Sequence, residues 1–343
     1  MVGRAHLLTL ALVVLAATGA AAARQKTPTP ERLERAYQLE GEAVVALADA
    51  ALAGKSLPSD FVLGWRNDYL KAQQGTFVPY VVSIDAAPLP ASAAVMYVRL
   101  TPRSAAPRAG RARLPGRSGE RFPVEDLYAV DLRGGTAGPV RITRGFSALP
   151  GEYDLVVVVR ERVEADRPRL SRRAGVLTRR LILPDFPSDE LTVSSIMLAD
   201  RVTVLDRPLP DDQLTERPYV IGLSEIQPAA DNFLRQDEEL IVVLLVYNPF
   251  VTPERKFDVE VEYHFYSRHA DSPERFFNRT KPQRFTPAVM GPQFDPSAGH
   301  PLMAGQGVPL AAFPQGDYRL AIKVTDIVTG RSIQRDVVFT ILS

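Results

Sequence analysis

A mainly β chain is predicted here: two tandem immunoglobulin-like, fibronectin III-like antiparallel β-sandwiches preceded by a signal peptide and a helical leader. Three observations predict it. The first is a repeat, in which Leu149-Pro150-Gly151-Glu152-Tyr153-Asp154-Leu155 returns later as Phe313-Pro314-Gln315-Gly316-Asp317-Tyr318-Arg319-Leu320. In each copy a Pro/Gly turn delivers a Tyr into a strand with apolar alternate residues. They are Tyr153, Leu155, Val157 and Val159 in one and Tyr318, Leu320, Ile322 and Val324 in the other, the period-2 signature of a sheet with one face buried. The second is that another strand follows each time, over 175–183 and 332–341, so the unit reads as the terminal hairpin of a sandwich. The third is the series of short apolar runs parted by Gly/Pro turns that precedes each copy.

The N-terminus reads as a secretory signal. Arg4 supplies a short positive region, residues 7–17 an apolar stretch, and residues 18–23 a run of small residues suited to cleavage. A mature chain would begin near Arg24. The competing expectation is a signal retained as a membrane anchor. The chain has no Cys, hence no disulfides and no acceptor for a lipoprotein anchor. Domains of roughly 100 to 150 residues can bury enough apolar surface without crosslinks. The formal net charge of +1 makes no global case for nucleic acid or a membrane surface as partner.

Along the chain, Thr29-Pro30-Glu31 is a helix start, with Thr as N-cap, Pro at the first position and an acid in the first turn. The helix is expected to reach residue 53. Leu33, Tyr37, Val44, Leu47 and Ala51 form its stripe, and Gly54 ends it. It could pack on its own domain or act as a spacer. Residues 59–71, with Phe61, Trp65, Tyr69 and Leu70, read as a short helix or an ordered lead-in. Strands of the first sandwich are expected at 77–85, 94–101, 122–132, 140–146, 152–163 and 175–183. Pro184 and Pro187 end the last of these and stiffen the passage onward. The implied division is 1–23 signal peptide, 24–74 helical leader, 75–186 first sandwich and 187–343 second sandwich.

In the second sandwich, strands are expected at 191–198, 240–247, 257–266, 284–287 and the terminal hairpin. The unbroken apolar run 240–247 predicts a central strand covered on both faces. At 257–266 the alternation is clean, with Phe257, Val259, Val261, Tyr263 and Phe265 inward and Glu260, Glu262 and His264 outward.

The blocks Leu149-Pro150-Gly151-x-Tyr153-x-Leu155, Leu183-Pro184-Asp185-Phe186, Leu191-x-Val193-Ser194-Ser195-Ile196-x-Leu198-Ala199 and Val246-Tyr247-Asn248 carry a resemblance. They resemble the sandwich region of bacterial secreted proteins with a GWxTD domain, similar blocks occurring in acidobacterial envelope proteins. The resemblance implies fold and compartment and no active site. Gly64-Trp65-Arg66-Asn67-Asp68 departs from the name-giving motif at its fourth position and is set aside as coincidence.

Two Arg-rich loops carry the functional expectation. Arg103, Arg108, Arg111, Arg113, Arg117 and Arg121 fall between the second and third expected strands; Arg162, Arg167, Arg169, Arg172 and Arg173 fall between the last two. If these strands map onto immunoglobulin order as B-C and F-G, both loops leave one end of the sandwich. That end would suit an anionic envelope polymer, since Arg makes bidentate contacts with phosphate and carboxylate. The bland reading is a pair of solvated loops. Tyr153 and Tyr318 are assigned structural work as tyrosine corners, with Pro184 at the boundary.

Glu260, Glu262 and His264 share a strand face, but no matched metal ligand accompanies them. Asp231, Asn232, Asp237, Glu238 and Glu239 do not follow EF-hand spacing. No Gly-x-Ser-x-Gly and no phosphate-cradling Gly loop occurs. The expectation is a non-catalytic exported envelope protein of the periplasm or cell exterior, acting in interaction or scaffolding, with no cofactor or metal. Its partner would be a protein or an anionic polymer, not nucleic acid. Alternatives are a polymer-binding module and an enzyme with its site at the domain junction or in residues 276–308.

Overall fold

The computed structural model describes residues 30–85, 92–103, 123–133, 138–162, 172–187, 189–269, 272–291 and 293–342. The expected signal segment and most of both Arg-rich loops lie outside these residues. A helix, α1 (Pro30–Leu52), comes first, and Glu40–Ser343 make one compact unit. Eight strands follow: β1 (Leu63–Asn67), β2 (Leu70–Lys71), β3 (Thr76–Ile84), β4 (Ala93–Pro102), β5 (Val124–Asp131), β6 (Val140–Ala148), β7 (Gly151–Glu161) and β8 (Ala174–Leu183). One sheet has the order β5-β4-β7-β8. The facing sheet sets β6 along the whole of one edge of β3, so β1 and β2 share the other. Both sheets are antiparallel, and together they make an immunoglobulin-like sandwich.

Residues 63–71 correct the expected boundary. They are not a helical lead-in but the broken first strand of the sandwich, which therefore begins before residue 75. Every residue of β1 is half-buried, so this edge strand lacks the alternation by which strands are read. Trp65 stacks on Tyr80 with ring centroids 4.4 Å apart. Gly64 lets the backbone run close to β3, since a Cβ there would meet Ser83 Oγ at 2.1 Å.

The second sandwich comprises β9 (Thr192–Val193), β10 (Met197–Val204), α2 (Asp211–Leu214), β11 (Val220–Ile221), β12 (Ser224–Pro228), β13 (Phe233–Arg235), β14 (Glu239–Tyr247), β15 (Val259–His269), β16 (Ser272–Arg279), β17 (Gln283–Phe285), α3 (Pro287–Met290), β18 (Leu302–Pro309), β19 (Gly316–Asp326) and β20 (Ser332–Leu342). Its sheets have the orders β11-β12-β10-β14-β18 and β13-β20-β19-β15-β16, with β9 on β14 and β17 on β15. The chain is thus mainly β and built from antiparallel sandwiches, as its alternation predicts; among the described strands β13 alone pairs in parallel, on β20.

Period-2 alternation stacks these sheets into layers. On β4 and β7, Met96, Val98, Leu155 and Val157 point into the first core. Their neighbours Val95, Tyr97, Val156 and Val158 point outward, where Val44 and Ala48 of α1 cover them. Residues 40–52 of the helix thus lie on its own domain rather than forming a spacer. On β3, Val78, Tyr80 and Val82 face the first core, while Val81 faces the other way. On β14, Leu240, Val242, Leu244 and Val246 enter the second core. Val243, Leu245 and Tyr247 meet Val81 and Leu70 in a third apolar layer, joined by Met197, Tyr219 and Ile226. Both faces of β14 are therefore covered. The sandwiches are packed face to face, beyond the tether at 184–187.

Candidate functional site at the sandwich junction

The repeated tyrosines close the same local ring in both sandwiches. Tyr153 Oη donates to Leu149 O at 2.8 Å, and Tyr318 Oη donates to Pro314 O at 2.8 Å. Gly151 and Gly316 precede them with φ of 149° and 137°, values that L side chains rarely adopt. Pro184 sits beside the junction, where its carbonyl accepts from Thr76 Oγ1 at 2.5 Å.

The Arg-rich loops do not share an end. β4 runs antiparallel to β7, with Pro102 opposite Tyr153 and Ala94 opposite Glu161. Arg103 N donates to Glu152 O, whereas Arg162 N donates to Ala93 O. The two loops thus root at opposite ends of this sheet, separated by about 25 Å at ~3.3 Å per residue. The described stems do not bring the two loops to the one end expected above. The physical reason is the unrecognised edge strand β1: counting from residue 77 places β4 as strand B rather than C, while the last two strands keep the places F and G, and that one place reverses the end assigned to the first loop alone. Arg103 pairs with Asp154 at 2.5 Å. Arg172 is half-buried near Arg160 and Arg173 is exposed, its N donating to Glu161 Oε2 at 3.0 Å. Arg162 reaches the buried carboxylate of Glu40 on α1 at 3.2 Å. Arg108, Arg111, Arg113, Arg117, Arg121, Arg167 and Arg169 lie outside the described residues.

Where the sandwiches meet, a cleft of about 750 Å³ opens between β1, the 184–186 passage, residues 194–196, the 230–232 turn and β20. Arg66 bridges the sandwiches from β1, its Nη1 donating to Ala229 O at 3.0 Å and Asp231 O at 3.2 Å. Asp68, in the break between β1 and β2, is buried and accepts from Tyr219 Oη at 2.9 Å. Burial pushes its carboxyl up to about 6, against the opposing pull of the Tyr219 bond and of Arg66. Ser195 Oγ accepts from Tyr69 N at 2.8 Å, and Ser194 Oγ accepts from Leu245 N at 2.9 Å. Both hydroxyls are committed to holding backbone, which leaves them poorly suited to act as nucleophiles.

One wall is a sheet edge. Among the described residues β20 has a strand partner on its outer side only at 340–342, where β13 pairs, and Asn232 Nδ2 caps Val338 O beside it at 2.9 Å. Arg335, Asp336 and Val337 of the unpaired stretch line the cleft, as does Ile182, which is 59% exposed. Phe233 and Val338 nearby are 58% and 47% exposed. An edge of this kind presents main-chain donors and acceptors in a row.

The other candidates stay apart. His264 Nε2 lies 3.8 Å from Glu262, which Lys323 approaches at 3.6 Å. Among the described residues no group of three or more His, Asp or Glu side chains is placed to hold a metal ion. Asp237 pairs with Arg235 at 3.4 Å. Asp68 and Tyr219 escaped sequence reasoning because their contact spans 151 residues; the only local hint was a carboxylate set among apolar and aromatic residues.

No protein-family model matches this chain, and no curated protein matches it. Among solved structures, it is similar to trypsin-activated alpha-2-macroglobulin from Escherichia coli, with 13% identity and a TM-score of 0.23 over 83% of this chain and 17% of that one. A Salmonella alpha-2-macroglobulin mutant follows at 13% identity and a TM-score of 0.20, again with 17% of its length covered. The chain thus spans about a sixth of the structures it matches, and similarity at these scores bears on neither fold nor function.

Proposed function

We propose that this is an exported, non-catalytic interaction protein that receives an extended segment of a protein partner along the free edge of β20. The observation that carries the reading is the coincidence of an unpaired strand edge with the junction cleft and with exposed Ile182, Val338 and Phe233. Strand addition obtains affinity from main-chain hydrogen bonds and specificity from side-chain pockets beside the edge. Arg66 and the third apolar layer support the same reading, because they hold the edge at a fixed distance from the first sandwich. A preorganised groove loses less ordering entropy on binding than a mobile one.

Site-specific photocrosslinking in cells tests it. A benzophenone side chain at position 182 or 335 is expected to capture a discrete protein adduct, and one at Arg201 or Glu254, exposed and away from the cleft, is not. Equal adducts at all four positions, or none at 182 and 335, would contradict the reading. Export is checked in the same cells by mass spectrometry of the mature N-terminus, expected near Arg24.

A further inference from the structure

A second cleft, of about 560 Å³, opens on the inter-sandwich layer between β2, the 214–221 segment and the 296–301 turn. Much of its lining is apolar. Leu70, Leu245 and Tyr247 belong to the layer itself, and Phe77, Leu214 and Ile221 add to it, beside the uncharged polar side chains of Gln73, Ser147 and Thr215. A tail entering here would extend a hydrophobic layer that already exists, and the volume is within the usual range of small-molecule sites.

Lys71 supplies a positive charge to its lining and His300 a neutral donor. Among the described lining residues there is no Asp or Glu, while Lys71 and His300 are both present. Lys71 Nζ is held in place by Asn248 Oδ1 at 2.8 Å and Pro187 O at 3.2 Å. These are two acceptors for a group with three donors; burial lowers its pKa, and the nearby Asp189 carboxylate acts against that lowering. Asn248, with φ of 53°, is itself fixed by donating from Nδ2 to Pro187 O and Glu190 O. His300 Nδ1 accepts from Asp295 N at 3.2 Å, which leaves Nε2 as the nitrogen carrying the proton and able to donate.

We infer that this cleft binds a small amphipathic anion, with its apolar tail in the inter-sandwich layer and its carboxylate or sulfonate at Lys71 and His300. The Lys71 ammonium selects the sign of the head group, and the apolar part of the lining takes the tail.

The test uses the whole mature protein and dodecanoate below its micellar concentration, titrated by calorimetry beside dodecyltrimethylammonium, which has the same tail and the opposite charge. Saturable one-site binding of dodecanoate, at least about tenfold tighter than the cation, is expected. Ala298→Trp, at an exposed rim position, should block the cleft and weaken dodecanoate about tenfold or more without moving the thermal midpoint. Lys71→Met should abolish the preference for the anion. Absence of saturable binding, equal binding of the two head groups, or an unaffected Ala298→Trp variant would each overturn the inference. So would flotation with phosphatidylglycerol vesicles that Ala298→Trp abolishes, because the ligand would then be a membrane lipid.

Discussion

Asp68 carries a cost that the fold accepts at neutral pH. A carboxyl held near 6 when folded and near ~3.9 when unfolded binds more protons in the native state across that interval. Its contribution to stability is complete below about pH 4 and lost as pH rises through about 6. Asp68→Asn keeps an acceptor for Tyr219 Oη and removes the charge. It is expected to stabilise the protein at pH 8, by up to about 3 kcal/mol, and to change little at pH 4. Urea midpoints at the two pH values check this, and an equal effect at both would contradict it. The repeated tyrosines make a simpler case: Tyr153→Phe and Tyr318→Phe each lose one hydroxyl bond, for about 1 kcal/mol apiece. The tyrosines could be read from sequence because each bond closes within four residues. The partner of Asp68 lies a domain away, and no local pattern encodes that.

Among elements, the packed part of α1 was foreseeable from Val44, Leu47 and Ala51 of its stripe and from Gly54 beyond its end, and β14 from a run too apolar to be half-solvated. β1 was not, because an edge strand that is half-buried throughout carries no period. That omission reversed the end from which the first Arg-rich loop was inferred to leave. The unpaired stretch of β20 was hidden for a related reason: pairing is a relation between elements, and the alternation of residues 332–341 is the same whether or not a neighbour exists. The helix yields a direct prediction. Ala48 is fully buried against the outer face of the first sandwich, so Ala48→Glu places a charge where none can be solvated. Residues 40–52 should detach while both sandwiches stay folded. Trypsin cleavage at Lys55 should quicken by about tenfold or more, and an unchanged rate would show that the packing of α1 contributes little.

The unit Glu40–Ser343 is a succession of layers in which residues 40–52 of α1, two sheets, a shared apolar interface and two further sheets each cover the face of the one before. Two domains joined by a short linker would move independently by default unless the interface between them is large and hydrophobic. Here Val81, Leu70, Met197, Tyr219, Val243, Leu245 and Tyr247 make that interface, and both clefts exist only while it is closed. Gly145 is the point at which to open it, since a Cβ there would meet Phe77 Cζ at 2.6 Å and Pro218 Cβ at 2.9 Å. Scanning calorimetry of the protein beside Gly145→Leu tests the fused arrangement most directly. The native chain should unfold in one transition, with calorimetric and van't Hoff enthalpies equal, and Gly145→Leu should split it into two. Two independent transitions in the native chain, at temperatures unchanged by Gly145→Leu, would contradict it.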